Sequence, residues 1–125
     1  MGRTTWESLP KKPLPGRLNI VLSSQSLEEV EGMKVCSSLQ DAIDYCENQL
    51  QSEEVFIIGG AKVYASAFNS LKIDTVYKTI VAIKSNGDIK LPSFFETYLY
   101  KLVESVQGEY ADMRYLFQTY KLIGI

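Results

Sequence analysis

Three small clusters of residues in this sequence have the chemistry to hold an anion. The stretch "IIGGAKVY", Ile57 to Tyr64, places Gly59 and Gly60 between a run of apolar residues and the start of a helical pattern. Strand, Gly-Gly, helix is an arrangement that binds phosphate, because free N–H groups at a helix start point at the anion and the helix dipole favours negative charge. Glycine lets the backbone approach to contact distance and adopt conformations closed to other residues. A bare Gly-Gly is also a plain strand-to-helix turn, and on its own that is the commoner meaning. The second cluster is Gly2, Arg3, Thr4 and Thr5, at the start of "GRTTWES", which reads as a short helix. An arginine beside two hydroxyls suits a phosphorylated ligand. The third is Ser23-Ser24, at the end of an apolar strand. Arg3 alone reads as a solvated surface charge. Together the three donor clusters fall at strand ends and helix starts, where open α/β sheets bind their ligands.

Several chemistries are excluded. There is no histidine, which removes Ser-His-Asp and Cys-His catalysis and most zinc chemistry. Cys36 and Cys46 form neither a disulfide framework nor a metal pattern, and no metal is expected. Cys46 falls on the apolar face of a helical pattern and reads as a buried, reduced thiol. With 15 acidic and 13 basic residues the net charge is -2, so neither nucleic acid nor an anionic membrane is an expected partner. No apolar run is long enough to span a bilayer, and "MGRTTWESLP" has no apolar signal core, so the expected location is cytoplasmic.

The elements that must position these clusters alternate in type. "RLNIVLS" (Arg17 to Ser23) reads as a short strand and "MKVCS" (Met33 to Ser37) as a smaller one. In "SLQDAIDYCENQL", Ser38 with Asp41 approaches a capping box, and Leu39, Ala42, Ile43, Cys46 and Leu50 recur at helical spacing. "EVFII" (Glu54 to Ile58) is apolar on both faces, as expected of an interior strand. "AKVYASAFNSL" reads as a second helix, "TVYKTIVAI" as a third strand and "SNGDIKLP" as a turn. "YKLVESVQ" and "RYLFQTYKLI" read as a closing antiparallel pair. The order predicts right-handed crossovers in a mainly parallel sheet with antiparallel strands at one edge. A length of 125 residues suits a single domain.

At this level "MGRTTWESLP…PLPGRLNIVLS" followed by "VFIIGGAKVY" resembles dihydrofolate reductase, in its bacterial and fungal form. The resemblance covers the whole chain in order, including "NGDIKLP" and the aromatic last strand "RYLFQTYKL". It implies one dihydrofolate reductase-like domain over 1–125: a three-layer α/β fold with a mainly parallel central sheet and antiparallel C-terminal edge strands. It implies NADPH as cofactor, dihydrofolate and antifolates as ligands, and a place in tetrahydrofolate biosynthesis and one-carbon metabolism. Arg3, with Thr4 and Ser24, would hold the adenosine 2′-phosphate, with Ser23 beside it. Thr5 and the segment Gly59, Gly60, Ala61, Lys62 and Val63 would cradle the pyrophosphate, and the Gly59–Gly60 bond is expected to be cis. Ile58 and Tyr64 would border the nicotinamide. Ser8, Leu9 and Leu14, with Ile58, would line the pteridine and benzoyl part of the folate pocket. Arg17 would pair bidentately with the folate α-carboxylate, which suits a planar fork of donors. Thr79 would anchor the catalytic carboxylate and its water. From the residues alone Thr79 is a β-branched residue in a strand. Some members are fused to thymidylate synthase, which makes a fusion or association with that enzyme an expected partnership.

The sequence departs from the family pattern in places. Ala61 stands where many members have glycine, and Ser37 where some have a lysine near the cofactor. In the family, the segment before "MGR" carries the first strand, a mobile loop and the first helix with its catalytic acid. That acid would precede Met1. Hydride transfer to the pterin C6 must be matched by protonation at N5, so such a group is required. Glu7 lies on the cofactor-side helix and is not promoted to that role. The strand at Glu54 to Ile58 would then lack neighbours on both sides. A chain truncated in this way is expected to be poorly stable and inactive alone. Two other functions are kept: the pyrimidine reductase of riboflavin synthesis, which lacks the "LPGR" arginine, and a dinucleotide-binding fragment without catalysis.

Overall fold

The computed structural model describes residues 1–51, 54–70, 73–81 and 100–123. They form two compact units, Met1–Ala67 and Phe68–Ile125.

The first unit opens with a short helix, α1 (Arg3–Ser8), followed by strands β1 (Asn19–Leu22) and β2 (Met33–Cys36). The strands pair in parallel, from Asn19 opposite Met33 to Leu22 opposite Cys36. Parallel neighbours need a crossover. Here the ten residues between them make it without regular structure. Helix α2 (Leu39–Asn48) starts at Ser38, whose Oγ accepts from the Asp41 N–H at 3.1 Å. A cap of this kind stabilises a helix by about 1 kcal/mol. Val21 is fully buried, and Met33, Cys36, Ala42 and Cys46 complete the centre of this unit's core with it. Ala42 and Cys46 are one turn apart, which is the helical spacing read from the sequence. Both thiols are buried and free, and burial pushes both above the ordinary thiol range. Leu50 was expected on the same face but lies past the helix end and is exposed. Helix α3 (Ala61–Ser70) begins directly after Gly60.

One expected element is absent. Glu54 to Ile58 joins no sheet, and Val55, Phe56 and Ile58 are exposed by 44%, 58% and 38%. Strand status depends on a partner, not on composition. β1 gives one edge to β2 and meets Met1–Gly2 along the other, through a parallel bridge between Gly2 and Leu22. No strand among the described residues lies against Glu54 to Ile58. The parallel sheet expected of the first half is therefore represented by the β1–β2 pair.

The second unit is an antiparallel sheet of β3 (Thr75–Val81), β4 (Tyr100–Tyr110) and β5 (Met113–Leu122), in the order β3-β5-β4. The closing antiparallel pair is thus formed by β4 and β5. It turns through Ala111 and Asp112, both with positive φ (49° and 65°), as a two-residue hairpin requires. The Tyr100 hydroxyl donates to the Ile73 carbonyl at 2.8 Å, and the Phe68 ring meets Tyr100 edge-on at 6.3 Å. Ala82 and Ile83 of the expected third strand, Leu71 of the second helix, and the turn at 85–92 lie outside the described residues.

Gly108 in β4 lies under the ring of Phe117, which is stacked on Tyr115 with centroids 6.1 Å apart. A Cβ there would sit 2.5 Å from Phe117 Cε2, so the ring would have to swing off its neighbour. Gly108→Ala should therefore destabilise by about 1–2 kcal/mol in urea unfolding, the range for local overpacking. In a Phe117→Ala background the clash is gone, and the same change should stabilise by about 0.5 kcal/mol through the unfolded chain. Equal losses in both backgrounds would show that Phe117 is not the cause.

Candidate functional site

The glycine pair is built against the start of the chain. The Gly2 N–H donates to the Gly59 carbonyl at 2.8 Å, while the Leu22 N–H donates to the Met1 carbonyl at 2.8 Å. Met1 and Gly2 therefore run between β1 and the glycine turn. A Cβ on Gly2 would lie 3.4 Å from Val63 Cγ2 and 3.8 Å from the Gly60 nitrogen. Gly59 has φ +117°, a conformation that side-chain-bearing residues rarely adopt, and the Tyr64 ring lies 3.4 Å from where its Cβ would be. The Gly59–Gly60 bond is cis, as is Lys12–Pro13. The groups that approach the glycines are thus the backbone of Gly2, the ring of Tyr64 and, at Gly60, the Thr5 hydroxyl, 3.6 Å from the Cβ position.

Gly60 also starts α3, accepting from the Tyr64 N–H at 2.9 Å. The first-turn amides of Ala61, Lys62 and Val63 have no acceptor within the helix, and they gather the positive end of its dipole. Burial pushes the Tyr64 phenol up, so it remains protonated at neutral pH.

Beside this helix start is an open groove of about 230 Å³, lined by Ser23, Ser24, Ser37, Ser38, Lys62, Val63 and Ser66, with Leu22 and Leu39. Five of these nine residues are serines, and Lys62 brings a positive charge. Of the expected cofactor residues, the groove brings Ser23, Ser24, Lys62 and Val63 together. Arg3, Thr4 and Thr5 lie on α1 and are joined to the groove indirectly. Arg3 Nη1 donates to Gln25 Oε1 at 2.6 Å, and the Gln25 N–H donates to Ser23 Oγ at 3.1 Å. Arg3 Nε also pairs with Glu7 at 2.9 Å, an exposed ion pair one helical turn apart. Gln25, Ser38 and Ser66 were missed as site residues. Ser66 lies four positions after Lys62, a spacing that puts both on one helix face.

The expected substrate residues occupy a different part of the unit. The Ser8 hydroxyl turns back to donate to the Thr5 carbonyl at 2.7 Å, and Leu9 caps α1. Leu14 and Arg17 lie on the loop before β1, where Arg17 Nε donates to the Pro15 carbonyl at 3.0 Å. Arg17 also lines an apolar groove of about 320 Å³ that runs along Ile20, Ala42 and Cys46 to Val55 and Phe56. Ile58 is exposed just before the glycine turn. Thr79 lies in the second unit, exposed at the middle of β3 and opposite Phe117 of β5.

A parallel strand pair followed by two helices, with donors gathered at the strand ends and at a helix start, defines an α/β ligand-binding architecture. The profile of the dihydrofolate reductase family matches residues 1–122, and the chain belongs to that family. It is 43% identical to the dihydrofolate reductase of Bacillus subtilis (strain 168), over 86% of this chain and 60% of that one. It is 38% identical to a Neisseria meningitidis dihydrofolate reductase, over 93% of this chain and 72% of the relative. The bifunctional dihydrofolate reductase-thymidylate synthase of Daucus carota is 35% identical over 96% of this chain, which spans 24% of that longer protein.

Proposed function

We propose that this chain is part of an enzyme that reduces 7,8-dihydrofolate to 5,6,7,8-tetrahydrofolate with NADPH. The observation that carries the reading is the family match over residues 1–122, which takes in the Gly59–Gly60 turn and the "LPGR" loop together. We read 1–125 as a single domain and the location as cytoplasmic; among the described residues no helix is long and apolar enough to cross a membrane.

The donor set suits NADPH. Hydroxyls from Ser23 and Ser24, the Lys62 ammonium and the first-turn amides of α3 match a ligand rich in phosphate. Thr5 faces Gly60 where a pyrophosphate would be cradled. Arg3, with Thr4 and Ser24, would hold the 2′-phosphate. When bound, NADPH supplies the hydride. Ile58 and Tyr64 would border the ring that carries it. Arg17 would hold the substrate's α-carboxylate, with Ser8, Leu9 and Leu14 around the pteridine and benzoyl rings. Thr79 would anchor the acid and water that protonate N5. Glu7 is not assigned that proton, since its carboxylate is paired with Arg3. An association with thymidylate synthase is proposed by analogy with the carrot relative.

The test, on a protein that carries the family's N-terminal segment ahead of Met1, is loss of NADPH absorbance with dihydrofolate as substrate. Turnover inhibited by antifolates is expected. Turnover of the riboflavin-pathway pyrimidine alone would assign the related reductase, and NADPH binding without any turnover would leave a binding module.

A further inference from the structure

Asn19 is the buried polar side chain of the described core, 2% exposed at the start of β1. Its main chain is fixed first: its N–H donates to the Gly32 carbonyl at 2.9 Å, and it pairs in register with Met33. Its side chain then reaches back over the preceding loop. Oδ1 accepts from the Leu14 N–H at 2.8 Å. Nδ2 donates to the Leu14 carbonyl at 3.0 Å and to the Arg17 carbonyl at 3.1 Å. One carboxamide thus satisfies both backbone groups of Leu14 and the carbonyl of Arg17. Only a side chain with an acceptor and two N–H donors at this length can do so. Aspartate lacks the donors, and glutamine is a methylene longer. The loop between, Pro15-Gly16, has Gly16 at φ +79° and does not fix itself through regular pairing.

We propose that Asn19 is a positioning residue for the glutamate end of the substrate: it ties the loop bearing Leu14 and Arg17 to β1, so that the Arg17 guanidinium is presented in one place. The inference rests on the folate reading above. Arg17's own side chain is exposed and, among the described residues, hydrogen-bonds its loop neighbour Pro15 alone, so the placement of its head follows from its backbone. A pre-placed fork loses less freedom when a carboxylate arrives.

Two ligands with similar diaminopyrimidine-type heads separate this role from a general one. Methotrexate carries the glutamate tail, and trimethoprim carries no carboxylate. Asn19→Ala should weaken methotrexate about tenfold more than trimethoprim, and change NADPH binding by less than about threefold. Asn19→Asp, which keeps the size and loses the donors, should show the same selective loss. The affinity ratio does not depend on the folded fraction, so partial unfolding cannot produce it. In an Arg17→Leu background the selectivity of Asn19→Ala should vanish, because the group it positions is gone. Equal losses of both ligands, or a selective loss that persists without Arg17, would overturn the positioning role. If Arg17→Leu itself does not distinguish the two ligands, the folate reading of this loop falls, and this inference with it.

Discussion

Arg3→Ala should cost NADPH binding about 1.5–3 kcal/mol, roughly 10- to 150-fold, and leave NADH binding nearly unchanged. The two cofactors differ at the 2′-phosphate alone, so the loss measures contact with that group. In the structure the guanidinium is held by Glu7 through Nε and by Gln25 through Nη1. Among the described residues the rest of its fork of donors is left for another acceptor. The Glu7 pair is exposed on both sides, at 44% and 56%, and pairs of that kind contribute between zero and about 1 kcal/mol. A phosphate dianion can displace or share such a partner at little cost. Gln25 is the more useful neighbour, since it links Arg3 to the Ser23 turn at the rim of the serine-lined groove. The contact is solvent-facing, so the difference between wild type and variant should shrink as salt rises. Fluorescence titration of both cofactors decides the matter, and equal losses for NADPH and NADH would remove Arg3 from the 2′-phosphate.

What could be read in the sequence was local. Ser38 and Asp41 are three residues apart, and the cap they form needs nothing else. Ala42 and Cys46 mark the buried face of α2 through spacing alone. Gly59-Gly60 marked the turn into α3, because a φ of +117° is one that glycine adopts readily and other residues rarely do. Pairing is not local, and there composition alone misled, while the expectation that Glu54 to Ile58 would lack strand neighbours matches the described residues. Glu54 to Ile58 has the composition of an interior strand, yet a strand exists only where an edge is offered to it. The hairpin at Ala111-Asp112 carries no glycine or asparagine, so its strands were legible while its turn was not. The serine groove was hidden for another reason: Ser23-Ser24, Ser37-Ser38 and Ser66 come from three separate segments that only the fold brings together. Asn19 was passed over inside "RLNIVLS", where one polar residue in a short apolar strand reads as alternation. Its burial and its three bonds become visible only once the loop before it is placed. Arg17 and Thr79 carried no signal of their own, and their roles came from the resemblance.

In a protein with the family's N-terminal segment supplied ahead of Met1, Arg17→Leu should raise the Michaelis constant for dihydrofolate by about 1.5–3 kcal/mol equivalent, on the order of 10- to 150-fold, with NADPH affinity nearly unchanged. The expectation follows from where the residue lies. Arg17 is exposed on the loop before β1, tethered at Nε to Pro15, and borders the apolar groove along Ile20, Ala42 and Phe56. Arg17 does not line the serine-lined groove beside α3, which meets the apolar groove only through the shared Leu22, Leu39 and Val63, so a change at Arg17 touches none of the serines or Lys62. A planar fork at the rim of an apolar groove can hold a carboxylate while the rings of the same molecule lie against the apolar wall. Leucine fills similar space along the stem and removes only the donors, so packing of the loop should survive. The loss is one of binding held equally in ground and transition states, which raises the Michaelis constant and spares turnover. Steady-state kinetics with dihydrofolate, beside a titration with NADPH, reads both quantities on one preparation. A collapse of NADPH binding would mean that Arg17 serves the cofactor site or the loop's structure, and an unchanged Michaelis constant would mean that the substrate's carboxylate is held elsewhere.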